Sequence, residues 1–515
     1  MHCSRHNNMS LLWITGLCVT ALVVVRISNW WYRWSNPKSN GMLPPGSMGF
    51  PIIGETFDFF KPHGFYEISP FLKKKMLRYG PLFRTSILGV NTVISTDMDV
   101  NLDILRHENE YFNLSYPDGL VKPLGKESMF LKTGNIHKHI KKICMRLLGS
   151  ENLKRKIIKD MDHVTCEHLN LKAGQRRVDL RDLVSSLITA HLTPKVISDL
   201  KPETQSILME SFKAFSFDWF RTSYILSAGR GLYKTLWACR QGMKLIKDVY
   251  TSRITSREKY NDFLETALEE LEKEGSSVNE DVIVSLIFTL SGITQDTTSK
   301  AICMVVKFIS ENPKVLVELK REHEAILANR EDKEGGVTWE EFRHKMTFTN
   351  MVIHESLRMT NLAPMMFRKV VKDVEIKGKY RYFFFFCIVF FFKKIGLISK
   401  NFLVPTGYTI PADWIVLVIP SLVHFDPEIY DNPFEFNPWR WEGKELRSGS
   451  KTFMVFGAGA RQCAGSEYAR LQISLFIHHL VTTYDFSLSK DCEVIRVPGA
   501  LFPNGISMNI SKRSK

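Results

Sequence analysis

Polar and apolar positions are mixed along most of the chain, so the stretches that break the mixture carry the prediction. Met9–Val25, MSLLWITGLCVTALVVV, contains no charge and is roughly long enough to cross a bilayer if its flanks contribute. Asp281–Ser310, DVIVSLIFTLSGITQDTTSKAICMVVKFIS, is apolar on nearly every face, which predicts a buried central helix. Its middle is polar, with Thr294, Gln295, Asp296, Thr297 and Thr298 in succession. Hydroxyls placed mid-helix can bond back to carbonyls and open a local kink. In MVIHESLRM, Glu355 and Arg358 stand three apart on one helical face. Met351, Val352, Ile353, Leu357 and Met359 flank them, so the pair is predicted to lie inside, where it needs further partners. The apolar pattern of YARLQISLFIHHLV, from Tyr468, predicts a helix a few residues after the glycine-rich loop FGAGARQCAG.

The N-terminal run reads as an anchor. Arg26, Arg33 and Lys38 follow it and only Arg5 precedes it, a bias that places the C-terminal bulk in the cytosol. Trp30, Trp31, Tyr32 and Trp34 would sit at the membrane interface. A cleaved signal peptide is the rival, but there is no small-x-small cleavage site and the downstream flank is basic and aromatic. LPPGSMGFP, Leu43–Pro51, supplies a stiff hinge that stops the helix. The remaining chain has no Gly/Ser linker, repeat or long charge block. The organisation expected is an anchor over 1–34, a hinge over 35–51 and one catalytic domain over 52–515.

Composition removes several alternatives. The net charge is +15, but the basic residues are dispersed and no nucleic-acid motif accompanies them, which argues against nucleic-acid binding. A basic surface suits anionic headgroups or an acidic electron-transfer partner. Cys3, Cys18, Cys144, Cys166, Cys239, Cys303, Cys387, Cys463 and Cys492 form no CxxC pair, against a zinc ribbon or a secreted disulfide framework.

Cys463 is the candidate for chemistry. Gly457, Gly459 and Gly465 surround it and would let the backbone approach a flat cofactor. The helix that follows would favour a thiolate at its N-terminus. Arg461 adds a cation able to grip a carboxylate. A buried structural cysteine in a glycine turn is the bland alternative. The spacing Phe456-x-x-Gly459-x-Arg461-x-Cys463-x-Gly465 resembles the haem-binding signature of the cytochrome P-450 monooxygenases.

That resemblance implies a mainly α fold with small β-sheets behind an N-terminal transmembrane helix. It makes Cys463 the axial ligand of haem b iron, held within a loop that includes Phe456, Gly459, Arg461 and Gly465. Asp296 and Thr297 match the family's acid–threonine pair, although Ile293 and Thr294 replace two customarily small residues before it. Glu355 and Arg358 match the E-x-x-R motif, with Arg440 of FNPWRW completing a structural charge triad. Pro364 and Arg368 match the strand that passes the haem edge, and His137 and Lys141 stand where many members have Trp and Arg. The implied partners are an NADPH-cytochrome reductase, the endoplasmic reticulum membrane by a single pass with the catalytic domain cytosolic, and a hydrophobic small-molecule substrate.

The C-terminal half resembles the plant branch that oxidises brassinosteroids, sterols and triterpenes, thalianol hydroxylases included, which implies hydroxylation of a triterpenoid or sterol-like lipid. Contact regions expected from the family are Tyr116–Phe130, Phe215–Leu236, Phe288–Gly292 and Leu362–Met366. Their large apolar side chains, Phe288, Leu290, Leu362, Met365 and Met366, suit a bulky lipid and would equally suit plain core.

One stretch does not belong. Lys379–Gly407 carries eight phenylalanines, five Lys or Arg and no acid, where family members make a tight hairpin. Gly-Lys-Tyr at 378–380 can be encoded as a splice donor and Thr-Gly at 406–407 as an acceptor, so the segment reads as translated intron. Its apolar core, Tyr382–Phe392, is too short to span a membrane, which leaves an interfacial patch as the functional alternative. If made, the segment is an aggregation hazard. An unstable or inactive haem protein therefore stands beside the active oxygenase, and a non-oxygenating haem-thiolate isomerase or dehydratase is a third reading.

Overall fold

The computed structural model describes residues 3–117, 121, 124–125, 127–175, 177–215, 230–256, 258–271, 273, 278–332, 335–377, 407–444 and 449–513. Most of the Lys379–Gly407 stretch and much of the expected contact region 215–236 lie outside them. The chain divides into two compact units.

One unit comprises Met1–Phe59, Phe71–Ser95 and Val370–Leu417. It begins with the helix Cys3–Ser35. Apolar side chains along that helix are exposed, among them Trp13 at 73%, Leu17 and Val25. No helix among the described residues is long and apolar enough to cross a membrane. The proline-rich segment behind the helix docks on the hairpin Leu82–Ile87/Val90–Ser95, where the Arg84 N–H donates to the Pro45 carbonyl at 2.8 Å. Beneath it Lys75 reaches Glu55 and Ser47, at 2.5 and 2.6 Å. A second hairpin pairs Val374–Lys377 with Gly407–Ile410, Lys377 opposite Gly407. Lys377, two residues before the anomalous stretch, and Gly407, its last residue, are thus direct strand partners.

The other unit comprises Phe60–Pro70, Thr96–Lys369 and Val418–Lys515 and is mainly helical. Its axis is the helix Glu280–Glu311, capped by the Asn279 side chain accepting from the Val282 N–H. Burial on nearly all faces follows from its apolar sequence. The helices Leu180–Val196, Thr347–Thr360 and Ser466–Thr483 pack around its C-terminal half through one core that includes Leu187, Val305, Val352 and Phe476. A second core joins its N-terminal half to Gly134–Leu148 through Ile140, Ile143, Leu286 and Ile287. Small sheets complete the unit, such as Tyr484–Leu488 antiparallel to Ser507–Lys512. The mainly helical class with small sheets is borne out.

The polar middle of the axial helix does not interrupt it. The Thr297 hydroxyl donates back to the Ile293 carbonyl at 2.8 Å, as its mid-helix position predicts, and the helix runs unbroken from Glu280 to Glu311. The hydroxyl shares a carbonyl one turn back without displacing the backbone N–H.

Candidate active site

The second unit encloses a cavity of about 420 Å³ against the axial helix. Cys463, Phe456, Arg461, Gly465, Arg368, His137, Lys141 and Thr297 all line it, so residues more than three hundred positions apart share one wall. Asp296 and Gly459 do not line it.

Each lining group is placed by its own element. The cysteine loop turns at Gly457 and Gly459, with φ of 71° and 67°, a region that side chains disfavour. A Cβ at Gly459 would also lie 2.2 Å from the Leu105 carbonyl oxygen. The crowding at Gly459 therefore comes from protein backbone. At Gly465 a Cβ would meet only ordinary contacts, Leu148 Cδ1 at 3.7 Å and Cys463 Sγ at 3.9 Å, so the space there opens to the cavity. The Cys463 N–H donates to the Phe456 carbonyl at 2.9 Å, and the helix Ser466–Thr483 follows. Cys463 is exposed to the cavity yet surrounded by protein. Burial pushes its thiol up, while the Gly465 backbone N–H and the Lys141 ammonium pull it down.

The cations form a shared cluster. Arg461 Nε donates to Glu108 Oε1 at 2.5 Å and an η-nitrogen to the Lys132 carbonyl at 2.6 Å. Arg368 Nε lies 3.3 Å from Glu108 Oε2. The Lys141 ammonium donates to the Ala460 carbonyl at 2.9 Å, and burial lowers its pKa. Burial, with Arg461, Lys141 and Arg368 nearby, brings His137 down to about 4, so it is neutral at physiological pH. Two guanidiniums share one carboxylate, and the Lys141 ammonium adds a third cation beside Arg461. A thiol open to the cavity, a cradle at Gly465 and surplus positive charge fit an iron porphyrin, which needs a soft anionic ligand and partners for two carboxylates.

Behind the loop lies an ion network whose centre, Glu355 and Arg358, is fully buried. Arg358 meets Glu355 through two bonds of 2.8 and 2.9 Å. Glu355 also accepts from Arg440 Nε at 2.9 Å, Trp441 Nε1 at 3.0 Å and the Asn437 N–H at 3.2 Å. The third and fourth partners were illegible in the spacing, although a buried carboxylate needs several donors. Arg358 also donates to the His424 carbonyl at 2.6 Å, and His424 Nε2 accepts the Met454 N–H at 3.2 Å. That chain ends two residues before Phe456, where the cysteine loop begins.

Asp296 pairs with Arg181 at 3.1 Å and with Lys300, which itself lines the cavity, at 2.9 Å. Lys300 was recoverable from its i+4 spacing on the same helix, whereas Arg181 comes from a distant helix. Among the expected contact residues, Tyr116, Phe130, Leu290, Leu362, Met365 and Met366 line the cavity. Phe288 does not. It is fully buried against Phe212 and Phe215, with ring centroids 5.3 and 5.9 Å away; it belongs to the core.

A sequence model of the family described as Cytochrome P450 matches residues 44–384 and 398–511. The chain belongs to the cytochrome P450 family. Membership carries a monooxygenase activity, haem b as cofactor and electrons supplied from NADPH through a reductase. The P450 match breaks at 385–397, inside the phenylalanine-rich stretch. The chain is 55% identical to Cytochrome P450 708A2 of Arabidopsis thaliana over 504 residues, covering 98% of this chain and 100% of that relative. It is 30% identical to cucurbitadienol 11-hydroxylase of Siraitia grosvenorii and 30% identical to beta-amyrin 16-alpha-hydroxylase of Maesa lanceolata, each covering 98% of this chain and 100% of the relative. The fold is similar to that of retinoic acid-bound cyanobacterial CYP120A1, with a TM-score of 0.73 at 19% identity, covering 92% of this chain and 100% of that one.

Proposed function

We propose that this P450 hydroxylates a triterpenoid or sterol-like lipid. The observation that carries the reading is the cavity itself, in which Cys463 and its cations stand at one side and Leu290, Leu362, Met365, Met366 and Phe130 supply apolar wall. Relatives named for oxidising cucurbitadienol and beta-amyrin support the substrate class.

When bound, haem supplies the oxygen-activating chemistry. Cys463 would hold it from one side, and Arg368, Arg461, Lys141 and His137 would hold its edge. Phe456, Gly459 and Gly465 shape the loop that presents the sulfur. Thr297, whose hydroxyl donates to the Ile293 carbonyl, lines the cavity, and Asp296, one residue before it and paired with Arg181 and Lys300, would pass protons toward it. Glu355, Arg358 and Arg440 would brace the loop and take no part in the chemistry. The apolar walls exclude water and orient the lipid.

The helix Cys3–Ser35 would serve as a single-pass endoplasmic reticulum anchor, with the catalytic region cytosolic and within reach of the reductase. The charge-free run Met9–Val25 and the exposed apolar side chains that follow Trp13 support that placement. Residues 35–51 would be the hinge and 52–515 the catalytic domain.

Microsomes containing the full chain and an NADPH reductase, supplied with triterpenes and sterols, test the proposal. The expected product carries one added oxygen and depends on both O2 and NADPH. An isomerised or dehydrated product formed without either would defeat it. A second reading is favoured by the break in the family match at 385–397: residues 379–407 are a retained intron, and the form that contains them is unstable or inactive. Genomic DNA lacking splice signals at both ends would remove that reading.

A further inference from the structure

Glu108 is the acidic partner of the cavity's cation cluster, and it does not itself line the cavity. Its side chain is 1% exposed. One oxygen receives Arg461 Nε at 2.5 Å and the other faces Arg368 Nε at 3.3 Å. Burying a carboxylate so completely is costly unless cations and donors meet it. Here it stands between two guanidiniums that do line the cavity.

The segment that carries Glu108 is tied to three walls of the site. The cysteine loop presses on the Leu105 carbonyl at Gly459. The Asn109 side chain accepts the Gly134 N–H at 2.8 Å, at the start of the helix that bears His137 and Lys141. Tyr116, which follows a few residues later, packs on Phe367 with ring centroids 5.4 Å apart, next to Arg368. A shift of this segment would therefore move groups on the cysteine loop, on the helix Gly134–Leu148 and on the strand Met366–Val370.

We propose that Glu108 is a positioning residue for the cofactor's edge. It holds the Arg368 and Arg461 guanidiniums at a fixed separation for the two haem carboxylates, and its charge offsets part of theirs, which sets the reduction potential of the iron. The proposal rests on haem occupying this cavity. A negative charge near the iron disfavours gain of an electron, so removing it favours the reduced form.

The test is spectroelectrochemistry on the purified full-length holoprotein, with haem content measured in parallel. Glu108→Gln, which keeps shape and removes charge, should shift the ferric/ferrous potential upward, and Glu108→Asp should bring it back toward wild type. An unchanged potential in Glu108→Gln with full haem content would overturn the proposal. If Glu108→Gln fails to retain haem, Glu108→Asp decides: haem held at a wild-type potential supports the charge role, and equal haem loss in both variants overturns it in favour of packing alone. Wild-type protein without the thiolate-type band of its reduced carbon monoxide complex would remove the haem reading as well, which keeps the two failures distinct.

Discussion

Arg358 and His424 join the ion network to the haem-side loop: the guanidinium donates to the His424 carbonyl at 2.6 Å, and the His424 ring accepts the Met454 N–H at 3.2 Å. Both residues are fully buried, and burial brings the His424 ring down to about 3, so the ring is neutral and its Nε2 is an acceptor. A brace of this kind transmits position and not charge.

Arg358→Lys is expected to damage both functions of the brace. A lysine presents one point charge where the guanidinium makes a two-bond fork to Glu355 and a third bond to His424. The expected loss is about 3 kcal/mol of stability, read from the midpoint of urea unfolding, together with reduced haem content. A midpoint and haem content both equal to wild type would show that the network does not support the loop.

Asp296→Asn is expected to lower turnover on the order of 100-fold while haem content and the spectral response to substrate stay unchanged. The amide keeps the shape and one acceptor for Arg181 or Lys300 but cannot carry a proton. Turnover measured against pH for both proteins checks the role, because a carboxylate that only stabilises the helix would lower the unfolding midpoint and leave turnover per haem intact.

Deleting 379–407 is expected to preserve the cavity and improve soluble yield. Ile376 and Tyr408 are already paired. After the deletion Lys377–Gly378 would join them as a two-residue connection with glycine second, a length suited to a tight hairpin. The yield of soluble protein and the reduced carbon monoxide spectrum of both forms measure the outcome. Loss of the thiolate-type band only in the shortened form would mean that the stretch belongs to the working protein.

Stability is expected to fall with acid over a defined window. Burial brings His191 down to about 4, and His323 and His354, like His424, to about 3. The unfolded chain takes up these protons near pH 6.5, whereas the folded protein resists until about 3 to 4. Between those values unfolding is coupled to proton uptake, so this contribution is complete above about pH 6.5 and is lost as pH falls toward 3. Unfolding midpoints recorded from pH 8 down to pH 4.5 should be level at first and then decline; a midpoint constant across the series would contradict it.

Features set by neighbouring residues could be read directly from the chain. The axial helix was legible because its apolar residues leave no polar face, and the Glu355–Arg358 pair because three residues make nearly one helical turn. The thiolate site was legible because glycines, a cation and a cysteine crowd into ten positions, and the anomalous stretch because its composition differs from everything around it. The tertiary structure decided what depends on residues far apart in the chain. It placed Glu108 between Arg368 and Arg461, turned Asp296 toward Arg181, put His424 under the loop and sent Phe288 into the core. Each of these depends on which helix faces meet, and close packing settles that between segments whose own spacing carries no trace of the partner.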